Sequence, residues 1–533
     1  MMKKVIKKLL AALLAVAMVC AMAIPAFAYN SWETEEDLNK NHGYIAFQIF
    51  KGVISKDNQT LFDVDWGKNI PHPEDFLPKL KADPTIGNEF NSANNVQDVL
   101  AVISKWHDSD NDSIAFARFV CNYIYTDPLA DSESTIVGGN GGINIPTSGY
   151  YLIVDTTYFN PGDYYHAYNS FFLLNVPQTP YVVPINRKVV KPTVEKEVYD
   201  NQDGANKAGF GSSADHAINE EFQFRLTATL PASPDRAYDY YDEYAVLFND
   251  TLSKGITYDR LDSVVIESNG THYDITNESS KYEVDDSRLG SDNYFVVGIP
   301  DVKTCAPGLN LNAGATITVT YTAHLNDKAA VNSTSGSTDN KNKVQLQYSN
   351  NPRNSAYWGF TPESAVCVYT YQLNNTKYRD DDTPGNELAG AGFRLYSDKD
   401  CTEEQEIKLK KNTTDGTYSP YFGAGAGDEM FSDEHGQFNV KGLDAGTYYL
   451  KETNPPAGYG ACANKEIVIS ATHTEYNVSL SGNLSTTIIN KKAGGITLPS
   501  TGGIGTTIFY VVGGGLMVAA IVLLVTKKRM ENK

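Results

Sequence analysis

Hydrophobic and polar residues alternate in many short runs along the chain. Val344–Tyr348 and Tyr448–Leu450 are examples, and turns rich in Gly, Asn, Asp and Pro separate such runs. Alternation with a period of two puts one face of a strand on a core and the other in water. Many short strands of this kind predict a mainly β protein built from tandem immunoglobulin-like β-sandwich domains.

A different pattern marks the first third of the chain. Apolar residues in Val96–Trp106 and Ser113–Tyr125 recur at roughly helical spacing, whereas Ser148–Asp155 alternates again. Helical spacing places the apolar residues on one side of a helix. We therefore predict a few short helices in this part, followed by a strand.

The N-terminus has the pattern of a secretory signal. Four lysines, at positions 3, 4, 7 and 8, precede the apolar run Leu9–Ile24, and Ala26-Phe27-Ala28 offers a small-x-small cleavage site. A basic, then apolar, then small-residue order is typical of a signal peptide that is removed on export. We predict a signal peptide at residues 1–28 and a mature chain that starts near Tyr29.

The C-terminus combines three features in a fixed order. Ile508–Val525 contains no charge and is about long enough to form a transmembrane helix. The basic residues Lys527-Lys528-Arg529 mark its cytoplasmic side. Directly upstream lies a short peptide made of Leu498, Pro499, Ser500, Thr501 and Gly502.

This arrangement resembles the sorting signal of Gram-positive surface proteins. In that family a sortase cysteine attacks the carbonyl of the threonine, here Thr501, releases everything from Gly502 onward, and passes the acyl group to an amine. The resemblance implies a secreted protein anchored in the cell wall, whose precursor is held transiently in the membrane. The alternative is a single-pass membrane protein in which the LPSTG peptide is accidental.

Two proline-bearing segments divide the mature chain. Pro184–Thr193 is the first, and Ser349–Pro352 with Trp358–Pro362 is the second. Domains of ~100–200 residues are usual, so we predict a first domain at 29–190, a middle domain at 191–355 and a third domain at 356–492. Residues 493–533 hold a linker, the sorting signal, the membrane helix and the basic tail.

Charge limits the classes of partner. The formal net charge is −20 at pH 7. An acidic exported surface repels nucleic acid and anionic membranes, so we predict no nucleic-acid partner.

Cysteines and metal ligands give little guidance. Cys20 leaves with the signal, which leaves an odd number of cysteines in the mature chain, and Cys401 with Cys462 is the pair that could form a bridge. The stretch Asp108–Ser113 lacks both the glycine and the closing glutamate of a calcium loop. We predict no metal and no cofactor.

The most specific internal motif is Tyr448–Tyr459. It resembles the YxLxETxAPxGY box of collagen-binding-protein B-type domains, with Pro455 where alanine is usual. In that family the glutamate promotes an isopeptide bond between a lysine on the first strand and an asparagine on the last. The resemblance implies a bond between Lys377 and Asn490 with Glu452 as the catalytic acid. The alternative is an ordinary strand glutamate beside a surface lysine and asparagine.

The middle domain carries a weaker form of the same pattern. Pro192–Val198, Phe248–Ile256 and Val344–Pro352 together resemble the A-type middle domain of fimbrial backbone subunits. The implied trio is Lys196, Asp250 as catalytic acid, and Asn350. Asn351 or Asn342 are open alternatives, since the sequence does not decide which side chain faces the core. Alternatively, Asp250 caps a turn and the asparagines form turns.

A polymerising sortase needs a lysine on the next subunit. Related subunits place it at the end of the first domain, commonly as YPKN, whereas this chain has Val183-Pro184-Ile185-Asn186-Arg187-Lys188. The resemblance points to Lys188 as the acceptor and to Lys191 as the alternative. The alternative is that both are solvated linker lysines with no role in polymerisation.

The resemblance extends to the first domain through Tyr44–Gly52 and Trp66-Gly67. It implies the major shaft subunit of a sortase-assembled, wall-anchored pilus. The implied partners are polymerising and housekeeping sortases, further copies of the chain, minor pilins and peptidoglycan. Host surface ligands are further candidate partners of such a protein.

The alternatives are a monomeric wall-anchored or tip adhesin and an exported enzyme. Gly-x-Ser-x-Gly, His-Glu-x-x-His and phosphate-loop motifs do not occur, so we predict no enzyme beyond self-catalysed bond formation. A thioester adhesin would need a reactive cysteine, whereas Cys121 lies on an apolar helix face and is predicted to pack in a core.

Overall fold

The computed structural model of the chain describes most residues between 43 and 492. The described residues are 43–54, 61–107, 110–126, 137–138, 142–145, 147–156, 170–176, 181–184, 191–201, 208–332, 340–353, 355, 358–475, 477–482 and 484–492, with positions 516 and 520. They form two compact units. Unit 1 runs to Tyr371 and also includes Gly442–Gly446 and Ile469–Ser481, and unit 2 holds the rest.

The first domain is a small sheet covered by helices. Its elements are β1 (Tyr44–Ile54), β2 (Leu61–Trp66), α1 (Pro73–Ala82), α2 (Val96–Ile103), α3 (Asn111–Thr126), β3 (Val137–Gly138), β4 (Gly142–Ile145), β5 (Gly149–Asp155), β6 (Phe171–Val176) and β7 (Tyr181–Pro184). The sheet order is β2-β1-β5-β6 with β3 against β1, and β4 pairs with β7.

The predicted helices and strand of this domain are confirmed. α2, α3 and β5 fall where the spacing placed them. Asn95 caps α2 by accepting a hydrogen bond from the Asp98 backbone N–H at 3.0 Å. The apolar side of α3 is buried in the same cluster as Phe47 and Phe76.

The middle domain is a sandwich of two sheets. Its elements are β8 (Thr193–Asp200), β9 (Gly209–Gly211), β10 (Ser213–Asp215), β11 (Glu221–Leu230), β12 (Val246–Leu252), β13 (Ile256–Ser268), β14 (Thr271–Asp274), β15 (Glu283–Asp285), α4 (Leu289–Asp292), β16 (Tyr294–Ile299), β17 (Ala315–Leu325), β18 (Lys341–Ser349), β19 (Trp358–Phe360) and β20 (Ser364–Tyr369). One sheet has the order β14-β13-β17-β11-β8-β9, and the other has β10-β20-β18-β12-β16-β15 with β19 on β18.

Strand alternation builds the core of this sandwich. Every second residue of β11, β12 and β18 is buried, as a half-buried strand requires. The inward residues of both sheets meet in one cluster that includes Phe224, Phe248 and Leu346.

The third domain also consists of two sheets. Its strands are β21 (Tyr371–Arg379), β22 (Gly392–Tyr396), β23 (Glu406–Ile407), β24 (Leu409–Lys411), β25 (Tyr418–Pro420), β26 (Met430–Phe431), β27 (Val440–Leu443), β28 (Gly446–Asn454), β29 (Lys465–His473), β30 (Val478–Gly482) and β31 (Ser485–Asn490). The sheet orders are β24-β25-β27-β21-β31 and β23-β22-β28-β29-β30, with β26 on β22. The first strand, β21, runs parallel to the last strand, β31. The mainly β sandwich prediction is therefore confirmed.

The division between the units differs from the predicted boundary at residue 355. β19 and β20 both pair with β18, so residues 358–369 complete a sheet of the middle domain. The compact division falls between Tyr371 and Gln372. Trp358–Phe360 of the proline-bearing segment is thus paired with β18.

The cysteines of the described chain are all free. The suggested pairing of Cys401 with Cys462 is not formed, and the Cys401 sulfur accepts a hydrogen bond from Asn464 instead. Cys121 is buried on α3, as predicted, and burial raises the pKa of its thiol to about 12. A thiol with that pKa is a packing group at neutral pH.

Several predictions concern the ends of the chain and lie outside the described residues. These are the signal peptide, Lys188, the LPSTG peptide and the membrane helix apart from positions 516 and 520. Within the described part of the chain, none of the helices has the length and apolar character that crossing a bilayer requires.

Candidate functional site

The third domain brings its predicted trio together. Alternation buries Lys377 on β21, Glu452 on β28 and Asn490 at the end of β31. β21 and β31 are neighbours in one sheet, and β28 belongs to the other sheet. The trio therefore spans the interior of the sandwich.

The three side chains are within hydrogen-bond distance of one another. Lys377 Nζ lies 2.5 Å from Asn490 Oδ1 and 3.2 Å from Glu452 Oε1, and Asn490 Nδ2 donates to the same Oε1 at 2.7 Å. The Lys377 and Glu452 side chains are fully enclosed. This rules out the alternative of a surface lysine and asparagine.

Two further contacts hold the trio in place. The Cys462 backbone N–H donates to Glu452 Oε2 at 2.8 Å, which fixes the second carboxyl oxygen. The Phe393 ring centroid lies 5.3 Å from Lys377 Nζ. Burial lowers the pKa of Lys377, with the Cys462 thiol and Glu452 opposing that shift. A buried amine loses its proton more readily, and only the neutral amine is a nucleophile.

This geometry suits the formation of an amide between Lys377 and Asn490. The Nζ lone pair would attack Cγ of the carboxamide, and Nδ2 would leave as ammonia. One proton must travel from Nζ to Nδ2, and Glu452 Oε1 faces both atoms. Holding the partners in contact makes a slow bimolecular reaction intramolecular.

The middle domain contains a second buried cluster. Lys196 on β8 donates to Asp250 on β12, and both side chains are fully enclosed. Lys196 Nζ also lies 3.0 Å from the Tyr321 hydroxyl on β17, and that hydroxyl is 3.3 Å from Asp250 Oδ1. The alternative role of Asp250 as a turn cap does not fit this position inside the sandwich.

Asn342, and not Asn350, completes this cluster. Asn342 is fully buried, and its Nδ2 lies 2.5 Å from the Tyr321 hydroxyl. The pairing of β12 with β18 sets Asp250 opposite Val344, so Asn350 lies six residues further along. At ~3.3 Å per residue that is about 20 Å. The first choice of Asn350 is therefore corrected in favour of the alternative Asn342.

Asn351, the other open candidate, has a turn function. Its Oδ1 accepts a hydrogen bond from the Arg353 backbone N–H at 2.9 Å. This is the local side-chain to backbone bond that asparagine commonly forms in turns.

Burial shapes the protonation of the middle cluster. It lowers the pKa of Lys196 to about 8, against the attraction of Asp250. It also raises the pKa of Asp250, against the attraction of Lys196. Both shifts favour the neutral pair, in which Lys196 is a free amine and Asp250 an acid.

The sequence did not point to Tyr321. The feature of the sequence that could have found it is its position in β17. At the alternating inward positions of that strand Tyr321 is the one residue with a polar tip, among Ala315, Ile317, Val319, Tyr321, Ala323 and Leu325. That contrast marks a hydroxyl in an apolar core, but it does not say what the hydroxyl meets. Lys191, the alternative acceptor, is partly buried just before β8.

Two known families match parts of this chain. Residues 374–483 match the SpaA prealbumin-like fold domain. Residues 490–532 match the LPXTG cell wall anchor motif. The chain is a cell-wall-anchored surface protein. No curated protein matches it.

This surface protein also has similarities among solved structures. The T6 backbone pilin of serotype M6 Streptococcus pyogenes is 15% identical with a TM-score of 0.43, over 86% of this chain and 97% of that one. The full-length major pilin SpaD from Corynebacterium diphtheriae is 18% identical with a TM-score of 0.43, over 86% and 90%. A C-terminal fragment of the major pilin GBS80 of Streptococcus agalactiae is 21% identical with a TM-score of 0.40, over 56% and 99%.

Proposed function

We propose that this surface protein is the structural shaft subunit of a sortase-assembled pilus. After export, sortase would acylate Thr501 and join it to Lys188 of the next copy, with Lys191 as the second candidate. A housekeeping sortase would join the last copy to peptidoglycan, and minor pilins would add to the shaft. Bonds from Lys377 to Asn490 and from Lys196 to Asn342 would staple the third and middle domains.

The observation that carries this proposal is where the two buried clusters lie along the chain. Asn490 is the last residue of β31, just upstream of the sorting signal, and Lys377 lies on the first strand of the same domain. A pull on Thr501 would reach Asn490 and pass through the new bond to Lys377. The polypeptide between them would carry no tension.

The middle domain supports the same conclusion. Lys196 lies in the middle of β8, the first strand of this domain, and Asn342 lies near the start of β18. A bond between them would bypass most of that sandwich in the same way. The described cysteines form no disulfide, so these amides would be the covalent staples. Two such staples in series suit a subunit that transmits force along a fibre.

Polymerisation is tested with protein released enzymatically from the cell wall. A denaturing gel probed for this chain should show a ladder of high-mass bands in the wild type. Lys188→Ala should collapse the ladder to a single band, whereas Lys191→Ala, the matched control, should leave it intact.

The other outcomes are equally informative. A ladder that persists in Lys188→Ala and collapses in Lys191→Ala keeps the shaft and moves the acceptor. A single band in the wild type contradicts the shaft function and leaves a wall-anchored monomer, as expected for an adhesin.

A further inference from the structure

The two buried clusters differ in how the acid reaches the asparagine. In the third domain Glu452 Oε1 lies 3.2 Å from the lysine nitrogen and 2.7 Å from the leaving nitrogen of Asn490. One carboxyl oxygen is therefore enough to carry a proton between them.

In the middle domain the acid is an aspartate, which is one methylene shorter. Asp250 contacts Lys196, but no hydrogen bond between described residues joins Asp250 to Asn342. The Tyr321 hydroxyl occupies the gap. It is 3.0 Å from Lys196 Nζ, 2.5 Å from Asn342 Nδ2 and 3.3 Å from Asp250 Oδ1.

We propose that Tyr321 is a catalytic residue of the middle-domain reaction and relays the proton from Lys196 to the leaving nitrogen of Asn342. This inference rests on the proposed function, because it presupposes that the Lys196–Asn342 bond forms. It assigns to a tyrosine hydroxyl the task that the carboxyl of Glu452 performs alone in the third domain.

The proton balance of the step closes without a further reactant. Lys196 Nζ forms a bond to Asn342 Cγ and gives one proton to the Tyr321 oxygen. The same oxygen gives its own proton to Nδ2, which leaves as ammonia when the Cγ–Nδ2 bond breaks. Tyr321 ends as it began, and the product is a secondary amide.

The surroundings of Tyr321 support this role. The side chain is fully buried, and burial next to Asp250 raises its pKa well above the usual range. The hydroxyl therefore holds its proton until a basic nitrogen forms beside it. The ring is fixed by Phe224, Phe295 and Tyr258, whose centroids lie 5.2, 5.1 and 5.6 Å away, so the oxygen is pre-positioned.

The test uses the full chain, recovered unreacted from inclusion bodies in denaturant and refolded by dilution. Protease digestion and mass spectrometry then follow the cross-linked peptide that joins Lys196 to Asn342 over time. Removing a general acid–base group typically slows a step 10²–10⁴-fold. We expect Tyr321→Phe to slow this bond at least about tenfold.

Two controls separate chemistry from folding. Tyr258→Phe removes a hydroxyl from the neighbouring ring and should leave the rate unchanged. The Lys377–Asn490 bond of the same molecules should form at the wild-type rate in every variant. In an Asn342→Ala background, which forms no middle-domain bond, adding Tyr321→Phe should leave unit 1 folded and lower its thermal midpoint only modestly, as the loss of two buried hydrogen bonds predicts.

Three results would overturn the relay. They are a wild-type rate in Tyr321→Phe, an equal slowing in Tyr258→Phe, and a loss of unit 1 stability that accounts for the slowing. Absence of both cross-links from the wild-type chain would instead refute the stapling in the proposed function.

Discussion

Lys377 Nζ and Asn490 Oδ1 lie 2.5 Å apart inside the third domain, on strands that are first and last in its sequence. The parallel pairing of β21 with β31 brings them together, with Lys377 opposite Ile488. A single amide between these side chains would close nearly the whole domain into a covalent ring. The chemistry and the mechanics thus depend on the same contact.

Replacing Glu452 should prevent that amide. Glu452→Ala removes the oxygen that faces both nitrogens, so the Tyr29–Thr501 product should fall short of the mass calculated from its own sequence by one ammonia, whereas the wild type falls short by two. Glu466→Ala, at an exposed glutamate on β29, is the matched control and should fall short of its own calculated mass by two ammonias, as the wild type does. A cross-linked Lys377–Asn490 peptide in Glu452→Ala would contradict this role for the acid.

The asparagine of the middle domain can be identified by a pair of substitutions. Asn342→Ala should abolish the cross-link to Lys196, so the product should fall short of the mass calculated from its own sequence by one ammonia and not by two. Asn350→Ala should keep the cross-link and fall short of its own calculated mass by two ammonias, because Asn350 lies about 20 Å along the chain from the position opposite Asp250. Peptide mapping of the two variants checks this, and the opposite pattern would restore Asn350.

The third-domain bond should account for much of that domain's stability. A cross-link that closes a loop of roughly 100 residues contributes about 5 kcal/mol by restricting the unfolded chain, and Lys377 and Asn490 are 113 positions apart. Lys377→Met combined with Glu452→Gln removes the nucleophile and both titratable groups of the trio, so the bond is lost without leaving a buried charge.

Calorimetry measures the effect. The transition of unit 2 should move down by roughly 20 °C or more in the double variant, while that of unit 1 stays in place. Lys465→Met, at an exposed position, should shift neither. An unmoved unit 2 transition would mean that the bond adds no stability.

Bond formation in the middle domain should have a bell-shaped dependence on pH. The reactive pair holds one proton, on Asp250, while Lys196 is a neutral amine. Below the raised pKa of Asp250 a second proton keeps the lysine charged, and above about 8 the pair loses its last proton. Refolding at a series of pH values should give a maximum between these limits. A rate that keeps rising above pH 8 would show that the acid form of Asp250 is not needed.

Local patterns in the sequence were sufficient for the mainly β fold and for the helices α2 and α3, whereas the trio of the third domain was predicted from a family resemblance. Alternation requires only neighbouring residues, and the structure shows that Lys377, Glu452 and Asn490 lie on the inward faces of alternating strands. The box around Glu452 added the resemblance that named its partners. The two family matches cover the three residues of this trio but neither of the two helices.

The middle cluster needed the tertiary structure. The inward residues of β18 are at even-numbered positions. Asn342 and Asn350 are both even-numbered, so alternation does not show which of them lies near Asp250. Only the pairing of Leu252 with Asn342 places one of them near Asp250. That register is set by contacts between residues far apart in sequence.

The role of Tyr321 and the C-terminal end of the middle domain also needed the tertiary structure. The sequence by itself determined which side of each strand is buried, and it determined the anchor signal, because both depend only on residues that are neighbours in the sequence. Only the tertiary structure decided that β20 joins β18 and that the Tyr321 hydroxyl meets Lys196 and Asn342. The physical reason is that alternation specifies a face, whereas distance along a strand and contact across a sandwich depend on how separate strands pair and pack.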